Sequence, residues 1–451
     1  MVTKIMWSLV LVVAVAWVTC AELPERPQLD LDEWWGPEDA KRNANTTIWP
    51  FQIKFTTEMI KDLKNRLQNN RAVTPPLSGT GFNYGFSQLQ IEPWVKYWTD
   101  KYDFKQREKF LNKFPQYQTN IQGLNIHFIW VKPHVPAGVT CVPLLIMHGW
   151  GGSVREFYEA IPLLTTPTDG LVFEVIAPSL PGFGFSQGTT RPGLGAAQMA
   201  VILRNLMYRL GHEQYVVQGG DWGALTGSAM ATMFPETVFG FHSNMLGDLS
   251  NPSEIQIILG GVFASIQSLQ APLDPVSTAL VEETAYLHEY STKPDTIGAM
   301  LSNCPIGLLA LFLEKFSTWT NLENRNLEDG GLSKKFTKEQ LLDNIMIYWV
   351  SNSITTSLRI YAETFSISYR KLGIDTYPCM TPTWKCEAKN EKIFYQPPNM
   401  KKFPYLIEVS KLEDGGHFLA FELPDLFVQD VFKAVKAFIK FHDDEAGRCE
   451  L

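Results

Sequence analysis

One carboxylate stands between glycines at the point where a predicted strand gives way to a predicted helix. It is Asp221 in the segment Gly219–Gly223 (GGDWG), which follows an apolar strand pattern and precedes a helical one. Small flanking residues permit a tight turn, so the segment is typical of a nucleophile elbow, with Asp where Ser is usual. A plain helix N-cap is the alternative, because Asp is favoured at that position as well.

A carboxylate nucleophile limits the reactions that such a turn can support. It attacks a saturated carbon in line without a base to activate it, and the product is an alkyl ester on the protein. Water activated by a histidine then hydrolyses that ester at its carbonyl carbon. The substrate must therefore carry an sp3 carbon with a leaving group, as epoxides and alkyl halides do. An epoxide also needs an acid on the side opposite to the nucleophile.

Two further motifs occupy the positions that this chemistry requires. The segment His148–Gly152 (HGWGG) directly follows a predicted strand, where an oxyanion-hole loop is expected. Backbone N–H groups of this loop and of Trp222 can hold a developing oxyanion. His417, in the segment Gly415–Phe418 (GGHF), lies between a predicted strand and the final helix. This position, after Asp221 along the chain, predicts that His417 is the base.

A literal G-x-S-x-G match competes with this interpretation. It is Gly184–Gly188 (GFSQG), with Ser186 at its centre. The motif requires a strand, a sharp turn and a helix. Ser186 instead follows a Pro-Gly loop, and Pro192 lies between it and the next helical pattern. We therefore predict that Ser186 is a loop residue.

Short apolar strands alternate with helical patterns through much of the chain after residue 120. The predicted strands are Leu124–Val131, Val142–Met147, Val172–Ala177, Gln214–Gln218 and Tyr405–Val409. The predicted helices are Ala196–Leu210, Gly223–Phe234 and a final amphipathic helix that includes Val428 and Ile439. Such alternation predicts an α/β fold with a mostly parallel sheet that helices cover on both faces.

The strand pattern stops between Leu249 and Phe365, where the sequence is mostly helical. We interpret this insertion as a lid over the carboxyl edge of the sheet, where ligands bind in open α/β sheets. The predicted organisation comprises an N-terminal membrane anchor (1–21), an N-terminal arm (22–120) with a helix at Phe55–Asn69, a core in two parts (121–248 and 366–451) and the lid (249–365).

Composition argues against some classes of function. The chain has 451 residues, a formal net charge of −8 and no run of Lys or Arg, which does not favour nucleic-acid binding. Its six cysteines show no CxxC or Cys/His spacing, so no metal site is predicted. Cys379 and Cys386 could pair, but two free thiols are expected.

The segment Ile5–Ala21 carries no charge and is just long enough to span a membrane. It fits either a membrane anchor or a cleaved signal peptide, for which Thr19 and Ala21 would mark the cleavage site. Lys4 before it would place the N-terminus in the cytosol. Both interpretations bring the chain to the secretory membrane.

Six motifs along nearly the whole chain resemble those of one enzyme family. They are WWG (Trp34–Gly36), HGW (His148–Trp150), GGDWG (Gly219–Gly223), STKPDTIG (Ser291–Gly298), EKFSTWTN (Glu314–Asn321) and GGHF (Gly415–Phe418). Together they resemble the microsomal epoxide hydrolases, and within that family the juvenile hormone epoxide hydrolases of insects. The resemblance implies an α/β-hydrolase fold, an apolar epoxide as substrate with juvenile hormone as the leading candidate, and no metal or cofactor.

The resemblance also assigns roles on the core side of the site. It implies that Asp221 is the nucleophile, that His417 is the base, and that Trp150 and Trp222 are the oxyanion donors.

Three further residues are assigned by the resemblance alone. It implies that Tyr286 and Tyr361 are the lid tyrosines that hold the epoxide oxygen, and that Glu391 is the acid that orients the base. By chemistry alone, Asp375 or Glu387 would compete with Glu391 for that role.

The sequence departs from the family pattern in two places. Gly151 stands where Pro is usual, and Trp384, Cys386 and Ala388 replace the usual residues of the segment before the predicted acid. The first change could loosen the oxyanion loop, and the second bears on the identity of the acid.

The resemblance favours an anchor in the endoplasmic reticulum membrane, with the catalytic domain on the cytosolic side, over the orientation that Lys4 suggests. Two rival functions remain open. A haloalkane dehalogenase would share the nucleophile but hold a halide instead of using lid tyrosines. A hormone-binding protein would keep the hydrolase scaffold without turnover.

Overall fold

Nine strands form one sheet in the computed structural model of the chain, which describes residues 25–246, 282–391 and 399–449. The strands are β1 (Ile48–Pro50), β2 (Gln116–Ile121), β3 (Leu124–Val131), β4 (Thr140–Met147), β5 (Leu171–Pro178), β6 (Tyr215–Gly219), β7 (Val238–Ser243), β8 (Thr383–Glu387) and β9 (Leu406–Lys411). Their order is β1-β2-β3-β5-β4-β6-β7-β8-β9. The neighbours from β5 to β9 run parallel, and the neighbours from β1 to β5 run antiparallel.

Helices connect and cover these strands. They are α1 (Thr57–Gln68), α2 (Ile91–Asp100), α3 (Phe104–Leu111), α4 (Ala160–Leu164), α5 (Ala196–Arg209), α6 (Trp222–Met233), α7 (Ala285–Thr292), α8 (Pro294–Leu301), α9 (Pro305–Thr318), α10 (Lys338–Ser351), α11 (Ile354–Thr364), α12 (Ile367–Arg370), α13 (Leu419–Glu422) and α14 (Pro424–Cys449).

The central parallel strands β4, β5 and β6 are apolar because both of their faces are covered. All five residues of β6 (YVVQG) are buried, and so are the last four residues of β4 (LLIM). Helix α14 approaches β7 so closely that a Cβ on Gly240 would lie 2.1 Å from the ring of Phe438. The predicted α/β fold with a mostly parallel sheet is confirmed.

Most predicted elements lie within two residues of their observed bounds, and β3 has the predicted bounds. The prediction missed β1, β2, β7 and β8. Pro50 ends β1 at the edge of the sheet, where a strand tolerates proline. β8 (TWKCE) carries two charged residues, and its charges are accommodated because Lys385 Nζ lies 2.9 Å from Glu387 Oε1.

The N-terminal arm belongs to the sheet rather than lying beside it. β1 and all but the last residue of β2 fall within the predicted arm (22–120), and β2 pairs with β3 along its whole length. The boundary placed at residue 121 therefore coincides with the last residue of a strand that joins arm and core.

The described part of the lid is helical. Residues 249–281 of the predicted lid lie outside the described ranges, whereas residues 282–365 form α7 to α11 with turns and short 3-10 segments between them. Within those residues the structure contains no strand, as predicted.

A buried ion-pair network joins the arm, the core and the lid. Asp343 on lid helix α10 accepts hydrogen bonds from Arg155 Nε at 3.0 Å, Arg107 Nε at 2.8 Å and the Tyr102 hydroxyl at 2.9 Å. Removing one partner of such a network leaves an uncompensated buried charge, which costs about 3–5 kcal/mol. The network therefore fixes α10 relative to the core.

The predicted anchor (1–21) lies outside the described residues. Among the helices that the structure describes, none alone is both long and apolar enough to cross a bilayer. Helices α8 and α9 meet that requirement only as a pair, with a bend of 116° between them.

Candidate active site

Asp221 lies in the turn between β6 and α6, and its backbone is strained. Its φ of 50° and ψ of −125° are rare for a residue other than glycine. A Cβ on Gly223 would lie 2.2 Å from Met147 O, so glycine is required beside the carboxylate. The Asp221 side chain makes no capping hydrogen bond to α6. The structure therefore favours the nucleophile elbow over the N-cap.

The two carboxylate oxygens of Asp221 have different surroundings. Oδ1 accepts a hydrogen bond of 2.7 Å from the backbone N–H of Trp150. Oδ2 lies 3.4 Å from His417 Nε2. The loop can approach this closely because it has glycine at position 149, where a Cβ would lie 2.2 Å from Asp221 Oδ1. One oxygen is thus held by the predicted oxyanion loop, while the other faces the predicted base.

His417 is oriented by Glu391. Its Nδ1 lies 2.6 Å from Glu391 Oε2, and both side chains are buried. The two acids that competed with Glu391 lie elsewhere: Glu387 pairs with Lys385 at 2.9 Å, and Asp375 lies close enough to Tyr369 to affect its pKa. Of the three carboxylates, Glu391 is the one that the structure places on His417.

The loop that carries His417 is held in place by hydrogen bonds that its backbone N–H groups donate. The His417 N–H donates to Trp319 O at 3.0 Å. The N–H groups of Gly416 and Phe418 donate to the carboxylate of Glu422 at 2.8 and 2.9 Å. Sequence reasoning missed Glu422, whose only signal is its place five residues after the histidine, at the end of the short helix α13.

The charge state of His417 depends on the two carboxylates beside it. Burial alone lowers the pKa of this imidazole, but the negative charges of Glu391 and Asp221 outweigh burial and raise the pKa to about 10. The protonated form of His417 is therefore favoured in the resting site.

The two predicted lid tyrosines lie beside Trp150 and close enough to Asp221 to feel its charge. Tyr286 on α7 and Tyr361 on α11 each have a ring centroid 6.0 Å from that of Trp150, and they lie 6.1 Å from each other. The ring of Tyr361 also packs edge-on against Trp222 at 4.6 Å. Burial and the charge of Asp221 keep the pKa of both phenols well above the usual range. Both hydroxyls therefore remain protonated and can donate.

A third tyrosine packs against the rings of Trp150 and Tyr361 and was not predicted. Tyr290 follows Tyr286 by one helical turn, is buried, and has its ring 5.2 Å from Trp150 and 5.4 Å from Tyr361. The i, i+4 spacing from Tyr286 was the signal that could have identified it.

A buried acid was also missed. Glu156 lines the cavity beside Asp221 and His417, and burial raises its pKa to about 8. Its carboxylate fits there because residue 152 is glycine, where a Cβ would overlap it at 1.7 Å. At neutral pH Glu156 is therefore largely protonated and adds little negative charge to the site.

His148 and Ser186 have structural surroundings. The Nε2 of His148 accepts a hydrogen bond from Leu180 N at 3.2 Å, and burial lowers the pKa of the imidazole to about 4, so it is neutral. The Ser186 hydroxyl donates to Ser179 O at 2.6 Å and accepts from His127 N at 2.9 Å, within a loop. The predicted loop position of Ser186 is confirmed.

The departures from the family pattern leave the site assembled. Gly151 has a φ of +85°, and the contact between Trp150 and Asp221 is formed beside it. Trp384, Cys386 and Ala388 are buried, and the segment that contains them still leads to a Glu391 in contact with His417.

One group among the described residues could hold a metal ion, and it is not at this site. It consists of His242, Cys386 and Asp430, which are all buried. Asp430 Oδ2 already accepts hydrogen bonds from His242 Nε2 at 2.9 Å and from Trp384 Nε1 at 3.1 Å. Cys379 and Cys386 are free thiols, as expected.

Comparison with known proteins separates the reactions that a carboxylate nucleophile allows. The chain is 53% identical to the juvenile hormone epoxide hydrolase of Bombyx mori over 427 residues, and this alignment covers 92% of each chain. This chain belongs to the epoxide hydrolase family. Epoxide hydrolase 1 of Oryctolagus cuniculus is 40% identical to this epoxide hydrolase over 456 residues, covering 96% of this chain and 99% of the relative. Such relatives favour epoxides over alkyl halides as substrates.

Family models and solved structures agree with this assignment. Residues 48–157 match the model of the epoxide hydrolase N terminus, and residues 142–269 match that of the α/β-hydrolase fold. The crystal structure of the silkworm juvenile hormone epoxide hydrolase superposes with a TM-score of 0.86 at 52% identity, covering 92% of this chain and all of that one. The structure of the Aspergillus niger epoxide hydrolase superposes with a TM-score of 0.71 at 25% identity, covering 90% of this chain and 99% of that one.

Proposed function

We propose that this epoxide hydrolase converts an apolar epoxide, with juvenile hormone as the leading candidate, to its diol through a covalent ester on Asp221. The observation that carries the proposal is the position of the Asp221 carboxylate, with Oδ1 on the Trp150 N–H and Oδ2 toward His417. Such a carboxylate is held for attack and for the later hydrolysis of its own ester.

In the first step Oδ2 of Asp221 attacks one carbon of the epoxide ring. The bond between that carbon and the ring oxygen breaks, and the oxygen takes a proton from Tyr286 or Tyr361. Protonation by a positioned acid is needed because an alkoxide is a poor leaving group in an apolar site. The position of both rings beside Trp150, whose N–H contacts Asp221, supports this role.

In the second step His417 takes a proton from water, and the resulting hydroxide attacks the ester carbonyl carbon. The developing oxyanion is Oδ1, which the Trp150 N–H already contacts; we propose that the N–H of Trp222 is the second donor. The bond between this carbon and Oδ2 then breaks, and Oδ2 leaves with the diol and takes a proton from the newly formed carboxyl group. Asp221 is regenerated with one oxygen from water.

Esterification itself makes His417 a base. The charge of Asp221 is one of the causes that raise the pKa of His417, and an ester carries no charge. The pKa of His417 must therefore fall once the ester forms, so its proton passes to the tyrosine that was ionised in the first step, and the neutral imidazole can then accept a proton from water.

Two lines of support favour an apolar terpenoid over a small polar epoxide. The wall above Asp221 is aromatic, with Trp150, Trp319, Phe312 and the tyrosines packed together. Relatives at 53% and 44% identity are juvenile hormone epoxide hydrolases of Bombyx mori and Ctenocephalides felis.

The test is product analysis with three substrates. The purified protein is incubated with juvenile hormone, with styrene oxide and with 1-chlorohexane, and diol and chloride are measured. We expect diol from juvenile hormone at a higher kcat/KM than from styrene oxide, and no chloride. Chloride without diol would identify a dehalogenase, and tight binding of juvenile hormone without diol would identify a binding protein.

We also propose that the uncharged segment Ile5–Ala21 anchors the protein in the endoplasmic reticulum membrane as a single span. Its length and lack of charge support this, and an apolar substrate that partitions into lipid makes such a location useful. The test is extraction of cell membranes with carbonate. The intact chain should stay in the pellet with residues 1–21 present, and a soluble chain that lacks them would indicate a cleaved signal peptide.

A further inference from the structure

The loop Gly149–Ser153, called here the oxyanion loop, is bonded to one helix of the lid. Asn344 and Tyr348 lie one turn apart on α10, and both are buried. Asn344 Nδ2 donates to Gly151 O at 2.7 Å, and the Tyr348 hydroxyl donates to Gly152 O at 2.6 Å. Two consecutive carbonyl groups of the loop are thus bound by side chains of the lid.

Asn344 makes a second bond that fixes its own orientation. Its Oδ1 accepts from the Ser153 hydroxyl at 2.7 Å, and the same hydroxyl accepts from Arg155 N at 3.2 Å. A carbonyl oxygen can only accept, so the amide nitrogen must face Gly151 and the amide oxygen must face Ser153. The adjacent residue, Asp343, is anchored by the ion-pair network that reaches Arg155.

The oxyanion loop needs such support because of Gly151. Glycine restricts its own backbone less than any other residue, and Gly151 adopts a φ of +85°. A Cβ there would lie at an ordinary van der Waals distance, 3.5 Å, from the ring of Phe418. The hydrogen bonds from α10 are a direct restraint on the carbonyl groups of residues 151 and 152.

The residue before Gly151 is the one that matters for chemistry. The N–H of Trp150 donates to Asp221 Oδ1 at 2.7 Å, and this alignment depends on the path of the loop. A change in the backbone at Gly151 shifts that N–H relative to the carboxylate.

We propose that Asn344 and Tyr348 are positioning residues that aim the Trp150 N–H at Asp221 Oδ1. The inference rests on the proposed ester mechanism. In that mechanism Oδ1 loses negative charge when the ester forms and gains it when water attacks the carbonyl carbon. A donor at Oδ1 therefore assists hydrolysis of the ester much more than its formation.

The consequence is a specific kinetic signature. When only hydrolysis slows, the ester accumulates, so kcat and KM fall together while kcat/KM changes little. A general structural defect behaves differently, because it lowers the concentration of active protein and reduces kcat without lowering KM.

The test compares three variants of the full chain. Asn344→Leu removes both hydrogen bonds of the side-chain amide while keeping a similar side-chain volume, and Tyr348→Phe removes one hydroxyl group. Ile345→Ala is the control, because it leaves a cavity at a buried apolar position of the same helix. Each is mixed with juvenile hormone and quenched at intervals, and the mass of the peptide that contains Asp221 gives the ester fraction. We expect ester hydrolysis to slow by about 10- to 100-fold in Asn344→Leu, the scale of a 1 Å misplacement, and by less in Tyr348→Phe.

Ile345→Ala should lower the thermal midpoint while the balance between ester formation and hydrolysis stays as in the wild type. The positioning role would be overturned if Asn344→Leu hydrolysed the ester at the wild-type rate, or if Ile345→Ala accumulated as much ester as Asn344→Leu. Either result would leave the proposed function intact. Absence of any ester on the wild-type protein would instead overturn the proposed function, and this inference with it.

Discussion

The core wall and the lid wall of the active site hold their side chains by different means. On the core wall, Asp221 and His417 stand on short turns that follow β6 and β9, and glycines with close backbone contacts determine where they point. On the lid wall, Tyr286 and Tyr361 stand within helices, and their rings are placed by packing against Trp150 and Trp222.

The difference separates two tasks. On the core wall, polar side-chain atoms are held at hydrogen-bond distance, as in the 2.6 Å contact between His417 Nδ1 and Glu391 Oε2. In the proposed mechanism the lid wall provides donors on an apolar surface, and its two tyrosines share one task. Changes on the core wall should therefore affect the reaction more severely than changes on the lid wall.

The largest effect is expected for Asp221→Asn. An amide oxygen is a far weaker nucleophile than a carboxylate, so turnover should fall on the order of 10⁶-fold, the loss typical of deleting a nucleophile. Diol formation from juvenile hormone measures it. A variant that retained a tenth of wild-type turnover would place the nucleophile elsewhere.

His417→Gln should stop the second step and spare the first. Without a base, water attacks the ester slowly, so one equivalent of substrate should remain bound to the protein. The intact mass should rise by the mass of one epoxide within a single turnover. Unmodified protein after exposure to substrate would mean that the ester does not precede the action of His417.

Glu391→Gln should cost less than loss of the base and should change the pH dependence. Loss of an orienting carboxylate can cost up to about 10⁴-fold in kcat. Because Glu391 raises the pKa of His417, its removal lowers that pKa, and His417 stays neutral to a lower pH. The acid limb of kcat should therefore move to lower pH. An unchanged limb would mean that Glu391 does not set the charge of the base.

On the lid wall, Tyr286→Phe and Tyr361→Phe should each be milder. General acids contribute about 10²–10⁴-fold, and two donors share this contribution here. Each single variant should therefore keep measurable diol formation, and the double variant should lose almost all of it. Single variants as inactive as Asp221→Asn would contradict the division of labour between the two walls.

The smallest effect is expected for Ser186→Ala, because the Ser186 side chain does not contact the proposed catalytic groups. Its hydroxyl joins Ser179 and His127 in a loop, so loss of these bonds should lower the stability by about 1 kcal/mol. The kcat should stay at the wild-type value, and thermal unfolding should report the loss. A large fall in kcat would revive Ser186 as a reacting group.

The same contrast explains what the sequence could predict. The turns at Asp221 and His417 could be recognised because strand, glycines, reactive side chain and helix are consecutive along the chain. β4, β5 and β6 could be recognised because parallel strands are continuous apolar runs. β2 and β8 were missed because polar and charged residues interrupt the pattern, and neighbouring strands satisfy those residues only after folding.

Lid residues carry no such local signature. Tyr286 and Tyr361 were assigned only by resemblance to a family, since neither would otherwise stand out among the fifteen tyrosines of the chain. The contact between Asn344 and Gly151 joins residues 193 positions apart, and no local pattern encodes it. Roles that depend on distant packing became visible only in the structure.

The most direct test of the covalent mechanism is a single turnover of juvenile hormone in water enriched in heavy oxygen, with the protein in excess. If Asp221 forms the ester, one heavy oxygen should appear in the peptide that contains Asp221, and the first diol released should contain none. Label in the first diol, with an unlabelled Asp221, would mean that water attacks the epoxide directly and that the account is wrong.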